Sequence, residues 1–337
     1  MCIPDSVRRQ LISWWNNENT GKPVILAQIP ALLPPIEDAS AFWASNDIRY
    51  DRAMAAIRGT KRFGCALPIH YVSFGSSALL GSYGCPMNPL SEDTIWPSRL
   101  FDELPAPEDF DIRWDSPWHK MMLEQVTRSA KDPENVATAY ALGGLCDTLG
   151  NLCGEETLLY ALMDEPEKVH RCLDKLADGW IRAAKEQWDI ILRHQDGCAS
   201  WAGIWAPGST FPLQEDFSFM LSDEMYREFC LPYLKKIASA VEYPLYHLDG
   251  PPAICHLDSL LEIPNLRAVQ WVPGAGQEIM AKWHGLVKRI LASGKSAQVY
   301  CTPEELTPLI DEVGPDRLLV TINGLTEENL HLVEPYL

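Results

Sequence analysis

The segment from residue 243 to residue 276 constrains the fold more than any other part of the chain. It contains two apolar runs, at residues 244–248 and 266–272, and each run stops at polar or turn-forming residues. Residues 253–261 between them have the apolar spacing of a short helix. A strand, a helix and a second strand in this order form a βαβ unit, in which the two strands are parallel. The segment therefore predicts a parallel α/β fold.

Apolar runs of this kind recur along the chain, and most are separated by segments with helical periodicity. Eight of them begin near residues 24, 66, 136, 198, 244, 266, 296 and 318. Eight strand–helix units predict an α/β fold in which a (β/α)₈ TIM barrel forms one domain over residues 1–337. The pattern breaks at residues 74–117, where Gly, Pro, Ser and acidic residues are dense, so we predict a long insertion in the N-terminal half. A doubly wound open sheet is the alternative fold.

The overall charge excludes some classes of partner. The chain has 337 residues and a formal net charge of −18. This balance argues against nucleic acid and against an anionic membrane surface, because both need basic patches. No apolar run approaches the length of a membrane span, and the first residues lack the pattern of a secretory signal. Ten cysteines are scattered without a CxxC pair, so we expect reduced thiols in a cytoplasmic protein.

Candidate functional residues lie where the predicted strands end. The carboxyl ends of parallel barrel strands share one rim, and active sites gather there. His247 and Asp249 are two positions apart at such an end, so their side chains leave the same face of the strand. An imidazole and a carboxylate at one place can bind a metal or move protons. A hydrogen-bonded rim histidine and a turn-forming aspartate are the alternative interpretation of the pair.

We predict roles for ten residues at this rim. The catalytic candidates are His247, Asp249 and Asp216, and the candidate ligands of a zinc ion are His247, Asp249 and Cys301. Cys301 precedes the start of a helix, which lowers the pKa of a thiol, although a buried and unreactive cysteine is the commoner case. The candidate substrate-binding residues are Trp201, Trp205, Gln214, Trp271, His70 and Asn323. No HExxH, CxxC or GxSxG motif supports a more specific assignment.

Several segments resemble one known family. They are residues 145–175, 212–237, 246–276 and 320–330, together with EDTIWP at residues 92–97. In these segments the chain resembles the uroporphyrinogen decarboxylase superfamily, which includes the methyl-transferring enzymes that work with corrinoid proteins. The resemblance covers most of the chain from about residue 90 onward. It implies a (β/α)₈ barrel whose site lies at the carboxyl ends of the strands.

Two departures from the family narrow the expected activity. The thiol methyltransferases of the superfamily hold zinc with a His-x-Cys pair and a later cysteine, whereas this chain has His247-x-Asp249 and reads Asn323 near the later position. The decarboxylases carry an arginine-rich N-terminal motif, and residues 25–35 contain no arginine. We therefore expect a methyltransferase that moves a methyl group between a small methylated substrate and the cobalamin of a partner corrinoid protein, with zinc as a candidate cofactor. The alternatives are a metal-free lyase or decarboxylase acting on a small carboxylate or a tetrapyrrole-like substrate, and a non-enzymatic barrel that only binds a corrinoid partner or a small ligand.

Overall fold

The computed structural model describes residues 3–274, 276 and 279–337. The α-helices are α1 Asp5–Trp15, α2 Ala39–Ala44, α3 Asn46–Gly59, α4 Leu79–Tyr83, α5 Pro117–Lys131, α6 Leu145–Cys153, α7 Glu155–Asp164, α8 Pro166–Leu192, α9 Asp223–Phe229, α10 Leu231–Ala238, α11 Leu257–Leu261, α12 His284–Ala292 and α13 Pro303–Val313. The strands are β1 Val24–Ile29, β2 Lys61–Gly64, β3 Ile69–His70, β4 Met87–Pro89, β5 Ile95–Pro97, β6 Val136–Ala137, β7 Cys198–Ala199, β8 Trp205–Ala206, β9 Thr210–Leu213, β10 Tyr243–Asp249, β11 Ala268–Val272, β12 Ser296–Cys301 and β13 Leu318–Ile322. Short 3₁₀ helices span Pro107–Asp109, Asp216–Met220, Pro251–His256, Met280–Trp283, Leu330–Leu332 and Glu334–Tyr336.

The main sheet is parallel except at one edge. Its strand order is β2-β1-β13-β12-β11-β10-β9. β1 and β2 pair antiparallel, whereas β10 pairs with β11 in parallel. The βαβ unit predicted from residues 243–276 is thus present, with the 3₁₀ helix Pro251–His256 and α11 as its connection.

Each of the eight predicted strand runs contains a strand, but the strands are unequal in length. β3, β6 and β7 have two residues each, whereas β10 has seven. β3 pairs with β6 in parallel, and a single bridge from Thr138 to Ala199 continues this second ladder toward β7. The α/β class and the parallel central sheet are confirmed. The hydrogen-bonded ladders between the described strands do not close into a ring.

The segment predicted as an insertion, residues 74–117, contains α4 and the antiparallel pair of β4 and β5. It is tied to the helix layer by Trp118, whose indole nitrogen donates to the backbone oxygen of Ala78 at 2.8 Å. Gly81 makes this contact feasible, because a Cβ at that position would lie 2.4 Å from the Trp118 ring nitrogen. The close approach of helix and ring explains the glycine.

Helix α1 covers the amino ends of the strands. The indole nitrogen of Trp14 donates to the backbone oxygen of Arg317, just before β13, and the Ser296 hydroxyl at the start of β12 donates to the backbone oxygen of Trp14. Trp15 donates to the backbone oxygen of Trp205 at 2.9 Å. Because the amino ends are sealed by these buried rings, the open rim of the sheet lies at the carboxyl ends.

Helix ends follow the capping rules that the sequence suggests. Ser222, the N-cap of α9, accepts a hydrogen bond from the backbone nitrogen of Met225, and at the start of α13 the Glu305 carboxylate accepts one from the backbone nitrogen of Thr302. Over the described residues, no helix combines the length and the apolar character needed to cross a membrane.

Candidate functional site

Three predicted residues come together at the carboxyl end of the main sheet. His247 and Asp249 lie at the end of β10, and Asp216 follows β9, which pairs in parallel with β10. One ligand atom of each side chain, an imidazole nitrogen or a carboxylate oxygen, lies within 4.8 Å of those of the other two. The two-residue period of the strand places His247 and Asp249 on one face, and the neighbouring strand supplies Asp216. One nitrogen and two oxygen donors therefore face a common point.

A chain of side-chain amides sets the orientation of the His247 ring. Its Nδ1 lies 2.5 Å from Oε1 of Gln270. The amide nitrogen of Gln270 donates to Oε1 of Gln298 at 2.8 Å, and the amide nitrogen of Gln298 donates to the backbone oxygen of Ala202 at 2.8 Å. Since a backbone oxygen can only accept, each amide of the chain has a single orientation. Gln270 consequently presents its oxygen, and not its nitrogen, to His247.

The tautomer of His247 follows from this arrangement. An oxygen acceptor at Nδ1 requires that Nδ1 carry the hydrogen, and Nε2 of the neutral ring then keeps its lone pair. Burial lowers the pKa of His247, while the Gln270 bond and the Asp249 charge oppose the shift. A neutral ring with a free Nε2 and a supported Nδ1–H is the form in which histidine ligates metals.

The carboxylate of Asp216 is held close to other acids. The surrounding protein and the Asp249 charge raise the pKa of Asp216 to about 6, although the side chain keeps contact with solvent. Gln214, a predicted substrate-binding residue, instead donates to Oδ2 of Asp216 at 3.0 Å and so fixes this carboxylate. Within the described part of the chain, no lysine or arginine forms an ion pair with Asp216 or Asp249. A divalent cation at this point would relieve the repulsion between the two carboxylates.

Two further carboxylates lie behind Asp216. Asp147 accepts hydrogen bonds from the backbone nitrogens of Asp216 and Phe217 at 3.0 and 2.6 Å, and Glu215 accepts from two backbone nitrogens at the start of α6. Burial, followed by the Asp216 charge, raises the pKa of Asp147 to about 7. Gly144 permits this crowding, because a Cβ there would lie 2.3 Å from Oδ2 of Asp147 and 2.9 Å from Oε2 of Glu215. These acids fix the loop that carries Asp216.

A cavity of about 600 Å³ opens beside His247. The Trp201 ring packs edge-on against the His247 ring at 5.0 Å between centroids and forms one wall. The predicted residue Asn323 also lines the cavity, as do Gln270 and Tyr300. This size and a mostly apolar wall with a few polar groups suit a small-molecule substrate.

Cys301 lies in the same cavity but outside the ligand cluster. It lines the cavity wall. The side chains close enough to share a metal are Asp216, His247 and Asp249, and Cys301 is not among them. Burial, together with the charges of Glu305 and Glu304, raises the pKa of the Cys301 thiol to about 12. The position before a helix favours a lowered pKa, but desolvation outweighs it, and Cys301 is the buried cysteine given above as the commoner case.

Three predicted substrate-binding residues lie away from this cavity. Trp205 is in the amino-end cluster next to α1, because β7 and β8 form an antiparallel pair that turns the chain back toward that end. Trp271 follows Gln270 on β11 and therefore faces the opposite side, where it packs on Trp283 at 5.0 Å. His70, at the end of β3, lines a different cavity.

Some contributing residues received no predicted role. Gln298 and Tyr300 are the clearest cases, and both contact Gln270. They alternate on β12, and Gln298 is fully buried. Two polar residues at positions i and i+2 of a buried strand are the signal that could have identified them.

Comparison with known proteins supports the fold. No family model matches the chain, and neither does any curated protein sequence. A solved structure of a methyltransferase from Methanosarcina mazei does match. It aligns with a TM-score of 0.63 and 13% sequence identity, over 98% of this chain and 97% of that one. The two proteins share a fold over nearly their whole length.

Proposed function

We propose that this protein is a methyltransferase with a metal site formed by Asp216, His247 and Asp249. The observation that carries the proposal is the convergence of these three side chains within 4.8 Å, with Nε2 of His247 uncommitted, beside a cavity of substrate size. The similarity in fold to a methyltransferase supports the reaction class. We further propose the finer assignments that the sequence suggests, namely a closed barrel in one domain, the uroporphyrinogen decarboxylase superfamily and a cytoplasmic setting.

The donor set fits zinc. Histidine and carboxylate oxygens are both established zinc ligands, and three protein ligands with an open position are typical of a catalytic site. A bound zinc ion would act as a Lewis acid on the heteroatom that carries the methyl group, which makes that atom a better leaving group. The absence of a thiolate among the three ligands suits a methylated oxygen or nitrogen better than a sulfur, because harder donors accompany harder ligands.

The chain's own residues would bind and orient the donor. Trp201 and the aliphatic part of the cavity would hold its apolar portion, and the hydroxyl of Tyr300 is fixed by the amide of Gln270 at 3.0 Å. In the metal-free protein the pKa of Asp216 is raised to about 6, so this carboxylate gives up its proton when it becomes a ligand. Gln214 holds Oδ2 of the same carboxylate, which leaves Oδ1 for the substrate side.

The methyl acceptor in this proposal is the cobalt of a partner corrinoid protein. The cavity opens at the carboxyl rim of the sheet, where Gly274 and Ile279 form part of its edge. Ile279 is 66% exposed and offers an apolar contact to a flat macrocycle. A corrinoid ring docked over this opening would bring cobalt to the cavity from the side opposite the sheet.

The test measures metal content and methyl transfer together. Purified wild-type protein is analysed for bound metals and then incubated with cob(I)alamin and a panel of methylated oxygen, nitrogen and sulfur compounds, with methylcobalamin formation followed by absorbance. We expect about one zinc per chain and transfer from one donor class, and we expect His247→Ala to lose both. His331→Ala, which changes an exposed histidine elsewhere, is the matched control. Zinc-replete protein that methylates cobalamin from no donor would refute the proposal.

The lyase alternative rests on a separate observation. Asp147 and Asp216 have pKa values raised to about 7 and about 6, so one of them could serve as a proton donor near neutral pH. His247 is a poor candidate for that role because its pKa is lowered by burial. Release of CO₂ from a small carboxylate by metal-free protein, without any corrinoid, would favour this second function.

A further inference from the structure

A second cavity of about 580 Å³ lies at the same rim, where β1 and β3 end. Its lining shares no residue with the cavity beside His247. One wall is apolar and includes Phe42, Trp43 and Ile57, and the polar residues His70 and Gln125 also belong to the lining. The space is therefore a separate site and independent of the proposed methyl transfer.

The charge inside this cavity is not compensated. Arg49 lines it and is only 6% exposed. Its guanidinium donates to the backbone oxygen of Ser73 at 3.2 Å and to Oδ1 of Asn46 at 2.6 Å, and its Nε has no partner. Among the described residues, no carboxylate forms an ion pair with Arg49. An unpaired buried charge is costly, so such a cation is normally matched by an anion.

The remaining charged groups of the cavity do not supply that anion. Arg52 and Glu92 pair with each other at the mouth, and Asp93 is exposed to solvent. Inside, His70 is 2% exposed and its Nδ1 has no hydrogen-bond partner, and the same holds for Oε1 of Gln125. The interior thus combines one cation with polar atoms that lack partners in the protein.

The surroundings of Arg49 also suit a flat organic ligand. Its guanidinium lies 3.9 Å from the centroid of the Phe74 ring and 5.7 Å from that of Trp43. Stacking on rings holds the guanidinium plane in place and leaves its edge for a two-pronged contact with an oxyanion. The apolar wall beside it can accept a hydrocarbon or aromatic body of the size of one ring.

We propose that this cavity binds a small organic carboxylate, with the carboxylate on Arg49 and an apolar body against Trp43 and Phe42. Arg49 supplies affinity by a charge-assisted bidentate contact. The apolar body supplies selectivity against simple anions, because it alone fills the rest of the space.

Three probes of related shape test the proposal on the wild-type protein. Benzoate carries both parts of the expected ligand, benzamide lacks the charge, and acetate lacks the body. Each is titrated by NMR, with the indole resonance of Trp43, assigned through Trp43→Phe, as the reporter and that of Trp201 as the reference for the other cavity. We expect saturable benzoate binding that shifts Trp43, and at least about tenfold weaker binding of benzamide and acetate. Equal affinity for benzamide, shifts at Trp201 instead, or no saturable binding would each overturn the proposal.

Two arginine variants test whether Arg49 supplies the positive charge that holds the carboxylate. Arg49→Met keeps most of the length of the side chain without the guanidinium. We expect it to weaken benzoate binding by about tenfold or more and to leave the affinity for benzamide unchanged. Arg58→Met is the control, since Arg58 is an exposed arginine on the same helix that pairs with Glu134. Equal loss in both variants would contradict the role of Arg49. If Arg49→Met does not fold, the comparison of benzoate with benzamide still decides.

Discussion

Among the residues that the structure describes, two clusters each bring three potential metal ligands within 4.8 Å of one another. The clusters differ in the other contacts that these ligands make. One is Asp216, His247 and Asp249, and the other is Cys146, Glu215 and Cys230. The second is fully buried, while the first has two exposed members and one half-buried member. Distance alone does not distinguish the clusters, so the state of each donor atom has to be considered.

The donor atoms of the buried cluster are already committed. The two carboxylate oxygens of Glu215 accept hydrogen bonds from the backbone nitrogens of Leu145 and Cys146 at 2.6 and 3.0 Å. The Sγ atoms of Cys146 and Cys230 lie 3.6 Å apart, and the contact with Cys230, then burial, raises the pKa of Cys146 well above its usual value. A thiol must lose its proton to bind a metal. This cluster therefore caps a helix and fills the core, whereas the His247 cluster keeps a free nitrogen lone pair that faces a cavity.

The largest expected difference between the clusters is in metal content and rate. Asp249→Ala should lower bound zinc to less than about one tenth of the wild-type amount and slow methyl transfer by about a thousandfold, because a three-ligand site does not survive the loss of a ligand. Cys230→Ala should retain full metal content. Elemental analysis and the cobalamin assay measure both. The comparison between the clusters fails if Cys230→Ala loses zinc and Asp249→Ala does not.

The next effect is on stability. Glu215→Ala leaves two backbone N–H groups at the start of α6 without acceptors, which we expect to lower the free energy of unfolding by about 2–3 kcal/mol. Glu215→Gln keeps one acceptor oxygen and should lose about half as much. Denaturant unfolding monitored by circular dichroism measures these changes. A neutral effect of Glu215→Ala would mean that the buried cluster has no structural role.

Gln298 should influence the His247 cluster without touching a ligand of the metal. In Gln298→Leu the amide of Gln270 keeps the Tyr300 hydroxyl as a partner, but a hydroxyl can donate or accept and does not fix the orientation of the amide. Nδ1 of His247 then loses its fixed acceptor, and zinc affinity should fall by about 10- to 100-fold. Thr321→Val removes only a second acceptor of Gln298, at 3.2 Å, and should change little. Ring nitrogen chemical shifts of His247 in the metal-free protein report the tautomer. If the tautomer of His247 is unchanged in Gln298→Leu, the amide chain does not determine it.

The smallest effect is on the pH dependence of metal binding. The surrounding protein and Asp249 raise the pKa of Asp216 to about 6, so below this pH a proton must leave before the metal binds. The Kd for zinc should then rise about tenfold for each pH unit below 6. In the metal-free protein a fall in pH stabilises the fold. The folded state binds this proton more tightly than the unfolded state, so the free energy of unfolding rises as the pH falls through 6. Denaturant unfolding of the metal-free wild type and of metal-free Asp216→Asn between pH 5 and 7.5 should give unfolding free energies with different slopes against pH. Parallel slopes would contradict the assignment.

Local pattern predicts strands and the faces of strands well in this chain. The pair His247 and Asp249 could be predicted to share a face because the period of two fixes it, and the eight apolar runs each contain a strand. Trp205 could not be located in the same way, since an antiparallel turn between β7 and β8 sends it to the amino end. The helix start after Cys301 favours a lowered thiol pKa, whereas the burial that raises this pKa depends on side chains from other elements. Turns that reverse the chain and desolvation are tertiary properties, which a linear pattern does not encode.

The unequal lengths of the strands have a consequence for motion. β10 to β13 form long ladders with continuous backbone hydrogen bonds, while β3, β6 and β7 contribute two residues each. Amide protons in the long ladders should exchange with solvent slowly and as one unit, and those of the short strands should exchange through local opening. We therefore expect the rim near Arg49 to open locally and admit a ligand, while the long ladders keep the metal-binding side chains of the His247 cluster in place.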